Sequence, residues 1–377
     1  MMKLVFKLTV LLLSVSLVNC TAEPNFGRRE YTKTIKKEFD IASNGTTYLS
    51  NKYGEVDVKT WDTNRVKVSV NIVVNANSEE TADEVFNRIN VNFSNANDYV
   101  KVKTEIESKR SSWLSWGSNN NSSKSDYRIN YEVYLPTTNN LDISHRYGDV
   151  YTAKMEGKVN FDLKYSNFKA EGVGDDSRIT FAYGNGAILT AKDLSTSVSY
   201  GKLNINQSND VSLESKYSQV WIEEGGDIRC ETKYDTYRLG LINDFKNIGK
   251  YDNFTIERAD NVTLESKYTA LKSSQINQTV DLDMEYGSAQ YNLAKGFTEV
   301  SMNGRYTDFK VNVDSGSNFK MDAVATYAGI SYPESLEVTR EISKSSSQEV
   351  KGYKGSQNAN ATIKATLNYG GLRVRVN

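Results

Sequence analysis

A tyrosine recurs along this chain at a nearly constant interval, and no other feature limits the possible folds as much. Tyr147, Tyr165, Tyr183, Tyr200, Tyr217, Tyr234, Tyr251, Tyr268, Tyr286, Tyr306 and Tyr327 are each followed by Gly, Ser, Asp, Thr or Ala, at spacings of 18, 18, 17, 17, 17, 17, 17, 18, 20 and 21. Tyr53 and Tyr369 are outlying members. A period of this length marks a repeat architecture, in which one supersecondary unit is copied and stacked.

Within each unit the apolar residues hold register to the tyrosine. Val150, Phe168, Leu203, Val220, Tyr237, Phe254, Leu271, Ala289, Phe309 and Ile330 stand three residues on, and Ala170, Ile188, Ile205, Ile222, Leu239, Ile256, Tyr291, Val311 and Tyr332 stand five on. Thr152, Gly186 and Ser273 break the rule. Alternation at period two predicts a strand with one buried face. A second alternating pair follows a polar turn, as at Val211 and Leu213, Ile228 and Cys230, Val262 and Leu264, or Val280 and Leu282. Each unit therefore reads strand, turn, strand, turn. Its few aliphatic side chains cannot offset the backbone entropy of its own ordering, so the units must share a core by stacking. The expected fold is all-β: a β-helix-like β-solenoid of ~17-residue units with aligned tyrosines ~4.8 Å apart, plus one short helix near the N-terminus. Lys or Arg precedes the tyrosine at Lys52, Arg146, Lys164, Lys216, Lys233, Lys250, Lys267 and Arg305, which predicts a basic stripe beside the column, interrupted at Ala182, Ser199, Glu285 and Thr326.

The first twenty residues read as an export signal. Lys3 and Lys7 precede an apolar run from Leu8 to Val18, too short to span a bilayer. Leu17-Val18-Asn19-Cys20 resembles a lipobox, with Asn19 in place of the usual small residue, so Cys20 is the expected lipid attachment site; cleavage after Ala22 is the alternative. Lys+Arg total 46 against Asp+Glu 47, a balance that argues against nucleic acid as a partner. The expected location is the cell envelope, as an outer-membrane lipoprotein or a periplasmic protein.

The region before Tyr147 differs. Val66 to Val74 and Tyr99 to Ile106 alternate as strands, and Ser78 to Ile89 predicts a helix with Ser78 as N-cap and Ala82, Val85, Phe86 and Ile89 on one face. A Ser/Asn-rich loop over 109–126 holds Trp113 and Trp116. The expected organisation is a signal peptide over 1–20, an N-terminal β region over 21–140, the tyrosine repeat over 141–332, and a C-terminal loop or long hairpin with closing strands over 333–377.

Asn51-Lys-Tyr-Gly-Glu-Val-Asp-Val58 with Trp61-Asp62 and Val66, the helix after a long strand, and Tyr131-Glu-Val-Tyr-Leu-Pro136 leading to Tyr147-Gly-Asp-Val150 resemble the bacterial putative-adhesin, or toast-rack, family of β-strand-repeat envelope proteins. The resemblance covers roughly residues 35–330 and implies a β-strand repeat and an envelope location. It brings no catalytic residues, and the strict tyrosine exceeds the family's pattern.

Candidate chemistry is sparse. His145 is the only histidine, so any Ser/His/Asp or Cys/His set depends on it, and its place at a unit boundary favours a surface turn. Cys230 falls in the inward register, which predicts a small buried hydrophobe. Gly184-Asn-Gly186 lacks a following helix and reads as a turn. Asp175-Asp176 and Glu223-Glu224 pair carboxylates, as glycosidases do, yet each sits in a polar corner beside Gly. The tyrosine column is expected as a structural ladder facing inward or lining a corner, with a stacking platform for a flat ligand as the alternative. Trp113, Trp116, Lys216, Lys233 and Lys250 are the candidate binding residues. The sequence thus points to a non-enzymatic, lipid-anchored, adhesin-like binding scaffold without cofactor or metal. Its expected partner is a protein or glycan of the envelope, and its membrane contact the lipid anchor. The alternatives are a carbohydrate-active enzyme on a β-helix, an envelope-stress signalling component, and an outer-membrane barrel.

Overall fold

The computed structural model describes residues 27–108 and 126–377. The leader with Cys20, and the tryptophans Trp113 and Trp116, lie outside the described residues. Strands dominate, and the helix Glu79–Phe86 is the one α-helix among the described residues.

Two ladders of parallel strands form the body. The first wall comprises the segments that lead into each tyrosine: Ser177–Ala182, Leu194–Ser199, Val211–Lys216 and Ile228–Lys233 pair in sequence order. The second wall comprises the segments that leave it, Asn185–Ala191, Lys202–Gln207 and Gln219–Gly225. Each residue pairs with the one a full unit away, as Leu213 does with Cys230 and Val220 with Tyr237. Val159–Val173 pairs with the first wall through one half and the second through the other, and Thr236–Lys250 rejoins them at the far side, so the hydrogen bonding traces a closed ring of parallel strands. Further strands continue outward from it.

One contiguous hydrophobic core fills the space between the walls. Aromatic side chains meet across it, Phe168 against Phe181 at 5.1 Å and Phe245 against Phe254 at 5.1 Å. The inward positions read from the sequence are buried, including Thr152 and Ser273; Tyr332, in the last rung, is half-buried. The parallel pairing also separates this body from a transmembrane barrel, whose strands run antiparallel. No helix among the described residues is long and apolar enough to cross a membrane.

The ends differ. Thr46–Lys52 and Val56–Trp61 flank Tyr53 and pair in parallel with Asn140–Lys154, so Tyr53 lies on the rung beside Tyr147 although 94 residues separate them. The intervening chain makes antiparallel strands: Arg65–Ala76 pairs with both Arg29–Asp40 and Asp126–Pro136, and Ile89–Ala96 with Tyr99–Ile106. The helix begins where the sequence predicts, with Ser78 Oγ accepting from the Thr81 amide at 3.2 Å, and it buries Ala82, Val85 and Phe86. It ends three residues early because Ile89 opens the next strand. The edge strand Arg29–Asp40 exposes Lys33, Lys36 and Lys37, charges that discourage further pairing.

At the other end Ala361–Val376 lies between Glu299–Val313 and Phe319–Ser331, parallel to both. Stack order therefore departs from sequence order here: Tyr369 stands between Tyr306 and Tyr327. The segment after Tyr332 forms the hairpin Glu337–Lys344 and Ser347–Lys354, which covers the first-wall half of Phe319–Ser331.

Candidate functional site

The corner between the two walls carries the tyrosines. Each backbone ladder must turn there, and the turn places all thirteen in the left-handed region, with φ between 51° and 63°. A non-glycine residue pays for that conformation with roughly 1–2 kcal/mol, so something must offset it. The rings do: twelve successive contacts from Tyr53 to Tyr327 stack nearly parallel, with centroids 4.6–5.2 Å apart. Stacked aromatic pairs contribute about 0.5–1.5 kcal/mol each. The hydrogen-bond ladder also continues through the turn, as Tyr200, Tyr217 and Tyr234 donate their amides to the carbonyls of Lys216, Lys233 and Lys250 at 3.0–3.1 Å.

The residue after each tyrosine explains its own restricted chemistry. Where it has a polar side chain, as at Ser166, Ser218, Asp235, Asp252, Thr269 and Thr307, that residue is buried, and it can serve as acceptor for the amide one rung before it. The Ser218 amide donates to Asp235 Oδ1 at 2.6 Å and the Asp235 amide to Asp252 Oδ1 at 2.8 Å. Behind them lies a buried polar network: Ser215 Oγ donates to Asp235 Oδ2 at 2.7 Å, Thr232 Oγ1 to Asp252 Oδ2 at 2.7 Å, and Asn247 Nδ2 to Thr232 Oγ1 at 2.7 Å. Because Ser215 spends its proton on Asp235, Tyr237 is the donor in their 2.6 Å contact. Burial raises both carboxyls, that of Asp252 to about 6.

The column faces outward. Twelve of its rings are 38–48% exposed, and Tyr327 is 61% exposed. It is a corner ladder, neither an inward one nor a platform along its length, because between the two end rings each ring's faces are taken by its neighbours and only edges and hydroxyls remain. At one end Tyr127 meets Tyr53 edge-on at 5.6 Å. At the other the outer face of Tyr327 meets no further ring among the described residues.

The cations stand beside this column. Ser199, Lys216, Lys233, Lys250, Lys267 and Glu285 are successive register partners. Lys233 Nζ lies 5.5 Å from the Tyr234 centroid, and Lys164 Nζ 5.6 and 5.9 Å from those of Tyr165 and Tyr183. Lys267 pairs with Glu285 at 3.2 Å, whereas Lys216, Lys233 and Lys250 have no ion pair among the described residues. The stripe is not an isolated basic surface, however. Two residues upstream on the same outward face runs a parallel row, Glu214, Glu231, Ile248, Glu265 and Asp283. Opposite charges thus alternate across the wall, and Ile248, 49% exposed, is the apolar gap in the acidic row.

His145 is fully buried, a departure from the surface turn expected for it. It pairs in register with Leu163, which is equally inward, and burial lowers its pKa to about 4. Cys230 is free and buried, and burial pushes its thiol pKa far up. Asn185 belongs to a surface amide ladder, donating to Asn167 Oδ1 at 3.0 Å while Asn167 donates to Asp149 at 3.0 Å. Asp175 and Asp176 sit in the turn before Ser177–Ala182, and Glu223 and Glu224 near the end of Gln219–Gly225; all four are exposed.

Two features escaped the sequence reading. Asp176, Asp193, Asp210, Asp227 and Asp244 recur at 17 residues, the first four one position before the strands Ser177–Ala182, Leu194–Ser199, Val211–Lys216 and Ile228–Lys233 and the fifth within Thr236–Lys250, and Asp210 Oδ1 accepts from the Asp227 amide at 3.0 Å. Trp221 lies outward between inward Val220 and Ile222 and is 52% exposed. The spacing of the first and the alternation around the second were both signals in the sequence.

No family model and no curated protein matches the chain. Among solved structures, the chain is similar to a putative cell adhesion protein from Clostridium sporogenes, at 8% identity and TM-score 0.21, over 92% of this chain and 100% of that one. It is also similar to a putative adhesin from Bacteroides fragilis, at 12% identity and TM-score 0.21, over 74% and 96%. A putative lipid binding protein from Parabacteroides distasonis matches at 9% identity and TM-score 0.20, over 90% and 96%. At TM-scores near 0.2 these likenesses carry no argument about what this chain does.

Proposed function

We propose that the chain is an exported β-solenoid of the cell envelope, anchored through lipidated Cys20, that acts without catalysis as an adhesin-like binding scaffold. The observation that carries this reading is the corner column: thirteen exposed, stacked tyrosines flanked by Lys216, Lys233 and Lys250 offer an extended repeating edge. A protein or glycan partner would meet hydroxyls, ring edges and ammonium groups at every rung, so affinity would be spread along the face. Trp113 and Trp116 would add a second contact.

Binding of anionic envelope polymers should then fall by no more than about 1 kcal/mol for each single substitution Lys216→Ala, Lys233→Ala or Lys250→Ala, and the effect should vanish as salt rises. The double substitution Trp113→Ala with Trp116→Ala should release its contact at unchanged melting temperature. Metabolic labelling with a fatty acid should mark the wild type and not Cys20→Ser. One point substitution that abolished binding at unchanged stability would replace the distributed face with a local site. Polysaccharide turnover lost on replacing Asp176 or Glu224 would replace the scaffold with an enzyme.

A further inference from the structure

The last two rungs of the second wall contain a bay that the corner column leaves unused. Two residues after the tyrosine, the outward position holds a side chain on the preceding rungs, as at Gln219, Thr236, Asn253, Ser288 and Asp308. After Tyr369 and Tyr327 it is Gly371 and Gly329, which are register partners. Two adjacent glycines lower the floor to backbone and leave a depression of about 440 Å³.

Its rim is chemically mixed. Lys310 and Arg373 are register partners on adjacent strands, and neither has an ion pair among the described residues. Asp308 shares the bay, its Oδ1 lying 3.3 Å from where a Cβ on Gly371 would stand. Gln348 Oε1 accepts from the Ile330 amide at 2.9 Å, which leaves its amide nitrogen to donate. Two cations against one carboxylate give the bay a single net positive charge. Asp308 would repel a bare phosphate, and a neutral ligand would leave one cation uncompensated. A group that brings one negative charge together with hydroxyl donors satisfies all four side chains. Beside the bay, two residues before Gly329, stands Tyr327, with one ring face covered by Tyr369 at 5.1 Å and no ring against the other. A free aromatic face accepts the C–H face of a pyranose.

We propose that this bay binds an acidic saccharide, with Lys310 and Arg373 on its carboxylate, Asp308 accepting from ring hydroxyls, and an adjoining sugar stacked on Tyr327. The proposal rests on the reading of the chain as a binding scaffold and names a ligand class for it.

Calorimetric titration of the full chain with tetragalacturonate, against neutral maltotetraose, tests it. A Cβ at Gly329 would meet nothing within 4 Å, so Gly329→Leu starts into the bay without a clash against the wall. The acidic tetramer should bind, and the neutral one at least about tenfold more weakly. Gly329→Leu and Arg373→Gln should each weaken the acidic tetramer by about tenfold or more at unchanged melting temperature. No binding by the wild type overturns the proposal, as does wild-type affinity in Gly329→Leu. If Gly329→Leu binds normally while a Lys216, Lys233 and Lys250 triple alanine variant does not, the ligand lies on the corner face: the bay is excluded and the scaffold reading stands.

Discussion

The seven central rungs, from Tyr165 to Tyr268, and the two ends of the same stack use one unit under different rules. In the centre, strand order follows chain order, and every tyrosine has a ring on both sides. At the ends, antiparallel strands join the parallel ones, Tyr53 meets Tyr147 across a long insertion, and Tyr369 enters ahead of Tyr327. The difference teaches that the repeat specifies what a rung is, while its neighbours decide where a rung goes. A central rung is held between two equals; an end must also stop the stack, which it does with charged antiparallel edges.

The sharpest way to break this comparison is deletion. Removing Tyr234–Lys250, one whole unit, should leave a cooperatively folding protein one rung shorter, because each rung contacts only its neighbours. Removing about half of it should abolish cooperative unfolding by throwing later strands out of register. Circular dichroism melts of the two deletions decide the matter, and equal damage would mean that the centre is not modular.

Next in size comes charge in the inward register. Cys230→Asp should cost several kcal/mol by placing an unpaired carboxyl in the core, and the native thiol should react with a thiol reagent only in denaturant. Tyr332→Asp, at an inward position of the last, half-buried rung, should cost about 1 kcal/mol, the scale of its lost hydrogen bond to Glu341. Similar losses in denaturant titrations would erase the distinction between centre and end.

A third contrast lies in pH. The carboxyl of Asp252 is raised to about 6, so its contribution is complete below the ordinary carboxylate range and is lost as pH rises through 6. His145, lowered to about 4 in the rung beside Tyr53, contributes with the opposite sign, present above the ordinary histidine range and lost as pH falls through 4. Comparing stability at pH 7 and pH 5, Asp252→Asn should remove a gain on acidification of about 1 kcal/mol and His145→Gln a loss of about 2 kcal/mol. A pH profile unchanged by either substitution would show that these burial effects do not reach stability.

The smallest expected effect concerns the column itself. Tyr217→Ala removes two ring contacts while keeping the left-handed strain, and Tyr327→Ala removes one, so their costs should stand near two to one at about 0.5–1.5 kcal/mol per contact. Tyr217→Gly, which relieves the strain, should recover part of the loss. Equal costs at both positions would mean that stacking contributes little.

Much of this was legible in the chain. Period-two alternation repeated every 17 residues placed Val220, Ile222, Leu213 and Cys230 inward, because a strand has only two faces and one was apolar throughout. The same logic would have buried His145, which shares the register of Leu163 and Phe181, and would have turned Trp221 outward. Neither stands out by residue type: His145 is a polar residue in an inward place, and Trp221 is an apolar one in an outward place. The bay at Gly329 and Gly371 was not legible, since 42 residues separate the two glycines and only strand insertion makes them neighbours.

By itself the sequence determined the unit: its period, its buried face, the tyrosine at the turn, and the small or polar residue behind it. These are local consequences of alternation and backbone sterics, and each is written within a single repeat. The tertiary structure alone decided the order of rungs at the C-terminal end. Inward rows such as Val300, Ile363 and Met321, or Met302, Ala365 and Ala323, are all apolar and of similar pattern, so any of these strands can pair with any other. Where neighbouring rungs are interchangeable in pattern, the choice falls to the lengths of the connections and to the hairpin Glu337–Lys354, which takes the outer edge of Phe319–Ser331 and leaves its inner edge to Ala361–Val376.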